Sequence, residues 1–139
     1  MLMKKRGVLL YVDDSRSVSW LVKRFFEMRY PAYEIIIADS AALAVHELEA
    51  REGHEDFPKA LITDLQLGGA MDGTMLIQQI RSHFPKLRAI VVSGSISAED
   101  RERSYGAGAN AVIEKPTNLD HFVSRIFDLI QCPTDTIGC

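Results

Sequence analysis

The stretch VLLYVDDS, Val8–Ser15, runs five apolar or aromatic residues directly into two adjacent carboxylates, Asp13 and Asp14. A run of this length and composition predicts a buried β-strand. Acidic residues after a strand often begin a turn, and either Asp14 or Ser15 could cap a following helix. The acidic pair alone therefore does not establish a functional site, and its meaning depends on the rest of the chain.

Short apolar runs with strand character alternate with amphipathic helical patterns along the whole chain. The predicted strands are mostly continuous apolar runs of the kind covered on both faces, and they are Val8–Val12, Glu34–Ala38, Ala60–Thr63, Ala89–Val92 and Ala111–Glu114. Five strand–helix units predict one α/β domain, in which a five-stranded parallel sheet lies between two layers of helices in a (βα)5 three-layer sandwich.

Apolar stripes at helical spacing lie between the strands, and we interpret them as facing the core. The first stripe comprises Val18, Leu21, Val22, Phe25 and Phe26. Trp20, on the same helix, is interpreted as helix packing. Polar residues suited to helix N-caps are Ser40, Ser97 and Thr117. The segments Arg51–Lys59 and Gly68–Gly73 are predicted to be loops.

Composition narrows the class of protein before any motif is considered. With 139 residues, 47% of them hydrophobic and 25% charged, the chain fits one globular domain. The net charge of -3 predicts no direct binding to nucleic acid and no attraction to an anionic membrane. The basic start of the chain lacks the apolar run of a signal peptide, so we expect a cytoplasmic protein without membrane insertion. Cys132 and Cys139 are too few for a disulfide framework.

Ligands of open α/β sheets bind beyond the carboxyl ends of the strands, and polar residues stand at those positions here. The predicted strands end at Asp13 and Asp14, at Asp64, at Ser93 and at Lys115. Each residue alone has an ordinary explanation as a turn residue, a cap or a solvated amine. Three carboxylates, one hydroxyl and one amine at one edge of a sheet together predict a functional site.

The chemistry of this set favours a metal-assisted phosphoryl site. Carboxylates about 4 Å apart repel by up to roughly 4 kcal/mol per pair in a partly screened setting, so a cation is needed to keep all three ionised. Oxygen ligands favour Mg²⁺, or Mn²⁺ in its place, rather than zinc or copper. Asp64 ends its strand alone and is the best candidate to attack phosphorus, while Lys115 and Ser93 take phosphoryl oxygens.

The motifs YVDDS, ITDLQL, the Ser93–Gly94 pair and GANAVIEKP together resemble the receiver domain of two-component response regulators, over about residues 6 to 131. The chain looks like a chemotaxis-type single-domain member of that family. The resemblance implies a flavodoxin-like fold with strand order 2-1-3-4-5. We therefore assign residues 1–131 to a receiver domain and residues 132–139 to a C-terminal tail or the start of a linker.

The resemblance also implies a role for each metal-binding residue. Asp14 and Asp64 would ligate Mg²⁺ directly, Asp13 would act mainly through water, and the backbone carbonyl of Gln66 would complete the protein ligands. Lys115 would pair with the phosphoryl group.

By the same resemblance, Ser93 stands at the hydroxyl position that shifts towards the phosphoryl group. Asp64 would be the phosphoacceptor, and the donor would be a histidine kinase or a histidine phosphotransfer protein. The protein would then catalyse only its own phosphorylation and dephosphorylation. It would signal through a downstream protein partner as a monomer or weak dimer.

Two other function classes are weighed against this one. A haloacid-dehalogenase-type phosphatase also uses an aspartate nucleophile with Mg²⁺, but it needs a second carboxylate two residues later, where this chain has Gln66. A receiver-like interaction module that switches without phosphate is the main alternative. It is suggested by Val112, which stands where most receivers carry a Tyr or Phe that turns inward on activation.

Overall fold

The computed structural model describes residues 7–131, and in them five strands and five helices alternate along the chain. In chain order these elements are β1 (Gly7–Val12), α1 (Arg16–Arg29), β2 (Tyr33–Ala38), α2 (Ala41–Arg51), β3 (Ala60–Asp64), α3 (Gly73–Arg81), β4 (Arg88–Ser93), α4 (Ala98–Ala107), β5 (Ala111–Glu114) and α5 (Leu119–Ile130). Each predicted strand agrees with the observed one to within one residue at either end. The predicted tail, residues 132–139, lies outside the described residues.

The five strands form one parallel sheet in the order β2-β1-β3-β4-β5. Leu10 of β1 pairs with Ile36 of β2 on one side and with Leu61 of β3 on the other. The predicted flavodoxin-like sandwich and its strand order are confirmed. Because β1 and β3 are neighbours in the middle of the sheet, Asp13 and Asp64 lie at the ends of adjacent strands.

Alternate residues of β1 supply two cores, one on each face of the sheet. Leu9 and Tyr11 pack in the core covered by α1 and α5, whereas Leu10 and Val12 pack in the core covered by α2, α3 and α4. All four side chains have no exposed surface. Burial of a large apolar side chain stabilises a fold by roughly 1.5–3 kcal/mol, so this strand firmly anchors the acidic turn that follows it.

Helix N-caps fix where each helix begins, and most of the predicted caps are confirmed. Ser15, one of the two candidates after β1, accepts a hydrogen bond from the Val18 amide and caps α1. Ser40 caps α2. Ser97 and Asp100 form a reciprocal capping box at the start of α4.

The predicted cap of α5 is wrong by one residue. Asn118, not Thr117, caps this helix, because its side-chain oxygen accepts the His121 amide at 3.0 Å. Asn and Thr are both good caps, so residue type alone does not decide between neighbouring positions. The two predicted loops are also slightly too long, since Arg51 is the last residue of α2 and Gly73 is the first of α3.

The interpretation of the α1 stripe is partly wrong. The core-facing side chains of this helix are Ser19, Val22 and Phe26, whereas Val18, Leu21 and Phe25 are between 36% and 51% exposed. Trp20 is 63% exposed and is not helix packing. The sheet and α5 together cover only the arc of α1 that includes Val22 and Phe26, so the buried arc of the helix is narrower than its apolar stripe.

The exposed part of that stripe forms a continuous surface together with the next apolar residue along the helix, and we name this surface the α1 apolar face. It comprises Val18, Leu21, Phe25 and Met28. Several large apolar side chains exposed on one side of a helix commonly mark a site of interaction. Among residues 7–131 there is no helix with the length and apolar character needed to span a bilayer.

Candidate functional site

Lys115 joins two of the predicted carboxylates at the carboxyl edge of the sheet. Its ammonium donates to Asp64 Oδ2 at 3.0 Å and to Asp13 Oδ2 at 3.2 Å. The backbone positions the lysine, since β5 ends one residue earlier and the Lys115 amide donates to the Ser93 carbonyl at 2.8 Å. Residues as far as 102 positions apart in the chain thus meet in one ion-paired group.

The charge of Lys115 is maintained by its carboxylate partners. Burial lowers the pKa of the amine, but hydrogen bonds and charge interactions with Asp64 and Asp13 outweigh that effect and raise it above its ordinary value. Lys115 is therefore a fixed cation at neutral pH. It can compensate the negative charge of a group attached to Asp64.

Asp64 is the last residue of β3, and its carboxylate stays accessible. Its side chain is 15% exposed, compared with 2% for Asp13. The Gln66 amide donates to Asp64 Oδ1 at 3.2 Å, and Lys115 holds Oδ2. The carboxylate is therefore oriented by two donors while it remains open to solvent, as an attacking group must be.

Asp13 and Asp14 have different surroundings although they are neighbours in the chain. Asp13 is buried and accepts the Ser15 amide at 2.9 Å in addition to Lys115. Asp14 is exposed, and its Oδ2 accepts the Gly68 amide at 3.1 Å. Asp14 therefore holds the loop between β3 and α3, whereas Asp13 forms part of the floor of the site.

Ser93 lies at the same edge but does not contact the carboxylates. Its hydroxyl donates to the Ser95 carbonyl at 3.0 Å and is turned towards the loop after β4. Ser93 is 6% exposed. The structure thus brings Asp13, Asp64 and Lys115 into direct contact and places Ser93 on the same edge without a contact to them.

Sequence reasoning missed Gly73, which allows α3 to begin against the site. A Cβ atom at this position would collide with the backbone carbonyl oxygen of Asp64. The Gly73 amide also donates to the Leu65 carbonyl at 2.8 Å. A third glycine shortly after the Gly68–Gly69 pair is the only sequence signal for this close approach, and such a signal is equally typical of a loop.

The oxygen donors at this edge fit a magnesium ion, although they do not form a complete protein cage. Within the described part of the chain, no group of three His, Cys, Asp or Glu side chains is arranged to hold a metal ion. Mg²⁺ commonly keeps several waters and uses only one or two carboxylates. Asp14 and Asp64 would be such carboxylates, and Asp13 and the carbonyl of Gln66 would lie beside them.

The chain matches one protein family over most of its length. The family described as "Response regulator receiver domain" matches residues 9–127. These residues include every predicted site residue, from Asp13 to Lys115. The match covers far more than half of the chain.

Curated relatives extend well beyond this domain. The DNA-binding transcriptional regulator NtrC of Escherichia coli K12 is 25% identical over 122 residues, which cover 88% of this chain and 24% of that protein. The response regulator MprA of Mycobacterium leprae is 29% identical over 123 residues, which cover 88% of this chain and 50% of that protein. The chain therefore spans half or less of the length of these relatives.

Solved structures with the same fold are also similar in sequence. A CheY-like response regulator receiver domain protein from Methanospirillum hungatei JF-1 has a TM-score of 0.75 and 28% identity, covering 90% of this chain and 94% of that chain. A putative response regulator from Chloroflexus aurantiacus J-10-fl has a TM-score of 0.76 and 26% identity, covering 92% and 100%.

Proposed function

The chain belongs to the response regulator receiver domains of two-component systems, and on that premise we propose that Asp64 accepts a phosphoryl group in a Mg²⁺-dependent reaction. The donor is a histidine kinase or a histidine phosphotransfer protein, and the product signals through protein partners. The observation that carries this proposal is the ion-paired group of Lys115, Asp64 and Asp13, in which the accessible carboxylate is Asp64.

The proposed reaction transfers a phosphoryl group from nitrogen to oxygen. An oxygen of Asp64 attacks the phosphorus of a phosphohistidine, the new O–P bond forms, and the electron pair of the broken N–P bond stays on the imidazole. Mg²⁺, when bound, neutralises phosphoryl oxygens. Lys115 turns from Asp64 Oδ2 to a phosphoryl oxygen, and Ser93 can release the Ser95 carbonyl and donate to another.

A phosphorylation-independent interaction module is the second candidate. The observation in its favour is Val112, which is 4% exposed in β5 and offers no ring that could change between buried and exposed positions. The intact acidic site weighs against it, because a module without phosphate has no need to hold Asp64, Asp13 and Lys115 together.

Treatment of the purified protein with acetyl phosphate and Mg²⁺ should add one phosphoryl group. Mass spectrometry of the intact protein should show a single adduct with Mg²⁺ and none when EDTA replaces it, because like charges on the attacking and transferred oxygens must be compensated. The absence of an adduct under both conditions, in protein shown to be folded, would favour the phosphorylation-independent module.

We further propose that the phosphodonor docks on the α1 apolar face. Its residues, Val18, Leu21, Phe25 and Met28, alternate at spacings of three and four, as in the seam of a coiled coil. The helix begins directly after the acidic turn, so a donor helix lying along this face would end beside the edge that carries Asp64.

The charged residues on α1 indicate which kind of donor helix would bind the α1 apolar face. Arg24 and Arg29 are exposed and flank the seam, whereas Lys23 and Glu27 pair with each other at 2.7 Å. Two copies of this chain packed through α1 would bring these arginines together. A donor helix with an apolar seam and acidic flanking residues would complement them instead.

Leu21→Glu should therefore impair phosphotransfer from a protein donor while sparing acetyl phosphate. We expect a loss of about tenfold or more, because a charge buried in an apolar contact of this kind costs about 2 kcal/mol. The measurement is the transfer rate from a purified phosphorylated kinase or phosphotransfer protein that modifies the wild type. Leu43→Glu on α2 is the matched control, since Leu43 is 46% exposed and Leu21 is 51% exposed. Equal transfer to both variants would place the docking surface elsewhere.

A further inference from the structure

Tyr11 is a buried phenol beneath the acidic edge, and the proposed phosphotransfer does not use it. The residue lies in β1 two positions before Asp13, and the Asp13 carboxylate is close enough to interact with its hydroxyl. Tyr11 has no exposed surface. Among the described residues its hydroxyl is one of two buried side-chain oxygens without a hydrogen-bond partner, the other being that of Ser19.

The surroundings of this hydroxyl keep it protonated. Burial raises the pKa of the Tyr11 phenol, and the negative charges of Asp13 and Asp64 raise it further. The Asp13 carboxylate is near enough to attract the hydroxyl hydrogen, but the two groups do not reach the geometry of a hydrogen bond. A buried donor without an acceptor costs free energy, so its retention here needs an explanation.

Asp13 is the acceptor whose contact with Lys115 would change during the reaction. In the structure its Oδ1 accepts the Ser15 amide, and its Oδ2 accepts the ammonium of Lys115, which it shares with Asp64. When Lys115 shares its ammonium with a phosphoryl oxygen on Asp64, its contact with Oδ2 of the buried Asp13 weakens, and a further donor to that oxygen becomes favourable. Of the two unpaired buried hydroxyls in residues 7–131, that of Tyr11 is the one on the strand that leads into Asp13.

We propose that Tyr11 is a positioning residue that donates its hydroxyl hydrogen to Asp13 when Lys115 engages the phosphoryl group on Asp64. This inference rests on the proposed function. The hydroxyl has no hydrogen-bond partner in the structure and gains one in the phosphorylated protein, so it favours the phosphorylated state by the free energy of that one hydrogen bond.

Tyr11→Phe removes this oxygen and leaves the buried ring in place. We expect the stability of the free protein towards urea to be unchanged or higher, because an unpaired buried hydroxyl is lost. We expect the affinity for beryllofluoride in the presence of Mg²⁺ to fall by about five- to tenfold, because one hydrogen bond to a carboxylate is lost. Beryllofluoride mimics the phosphoryl group on a carboxylate, and calorimetric titration measures its binding.

Tyr33→Phe is the matched control. Tyr33 is also buried in the core beneath α1 and α5, but its hydroxyl accepts a hydrogen bond from Gln131 Nε2 at 3.2 Å, away from the acidic edge. This variant should bind beryllofluoride as the wild type does. A purely structural role for Tyr11 would lower stability without changing that affinity.

The possible results separate the two proposals. If the wild type binds beryllofluoride and Tyr11→Phe binds it equally well, the role of Tyr11 is refuted and the proposed function stands. If the folded wild type does not bind beryllofluoride, the proposed phosphorylation of Asp64 fails, and the role of Tyr11 fails with it. Weaker binding by Tyr11→Phe without loss of stability supports both.

Discussion

Asp64→Asn should not form the phosphoryl adduct that acetyl phosphate and Mg²⁺ produce on the wild type. An amide oxygen is a far weaker nucleophile than a carboxylate oxygen, and the variant also removes one candidate Mg²⁺ ligand. The fold should tolerate the change, because the amide oxygen can still accept hydrogen bonds from the Gln66 amide or from Lys115. The adduct measured by intact-protein mass spectrometry should fall to the background level.

Asp39→Asn provides the control for this experiment. Asp39 follows β2 at the same edge of the sheet, and its carboxylate is 3.3 Å from the exposed Arg16 guanidinium. It is therefore a carboxylate at the same edge of the sheet that pairs with Arg16 instead of Lys115. This variant should be phosphorylated as the wild type is. A persistent single adduct on Asp64→Asn would rule out Asp64 as the acceptor and direct attention to Asp13 or Asp14.

The parallel sheet could be predicted because its strands are short, apolar on both faces and separated by helical patterns. This is why the boundaries of the strands, such as Ala111–Glu114, agree with the structure so closely. The same reasoning placed the candidate site residues at one edge of the sheet, since polar residues at the carboxyl ends of parallel strands necessarily share an edge. The meeting of Lys115 with Asp13 and Asp64 is a direct consequence of strand order.

Features that depend on how neighbouring elements pack together could not be predicted from residue type. The α1 stripe looks uniform in sequence, but only the arc centred on Val22 and Phe26 is covered, because coverage is decided by the position of α5. Gly73 is required by a close approach to the Asp64 carbonyl that no local pattern encodes. Tyr11 looks like any other aromatic residue in a strand, and its unpaired hydroxyl is visible only once the site is assembled.

Asp14→Asn should remove most of the stabilisation that Mg²⁺ gives the protein. Three carboxylates and one ammonium leave the site with excess negative charge, which a divalent cation relieves. A ligand that binds only the folded state stabilises it by about 2.7 kcal/mol at a concentration of a hundred times its dissociation constant. The wild type should gain stability of this order in urea unfolding with Mg²⁺, and the variant should gain much less.

Without Mg²⁺, the wild type should no longer be more stable towards urea than Asp14→Asn, and it can even be less stable. Loss of one carboxylate reduces the repulsion at the site, while the side-chain amide oxygen that Asp14→Asn introduces can still accept the Gly68 amide and hold the loop. The variant should therefore be at least as stable as the wild type when Mg²⁺ is removed. Unfolding in NaCl of matched ionic strength separates specific binding from general screening, which affects both proteins alike. An equal gain from Mg²⁺ in both proteins would show that Asp14 is not a ligand, and the oxygen donors of the site would have to be sought at Asp13, Asp64 and Gln66.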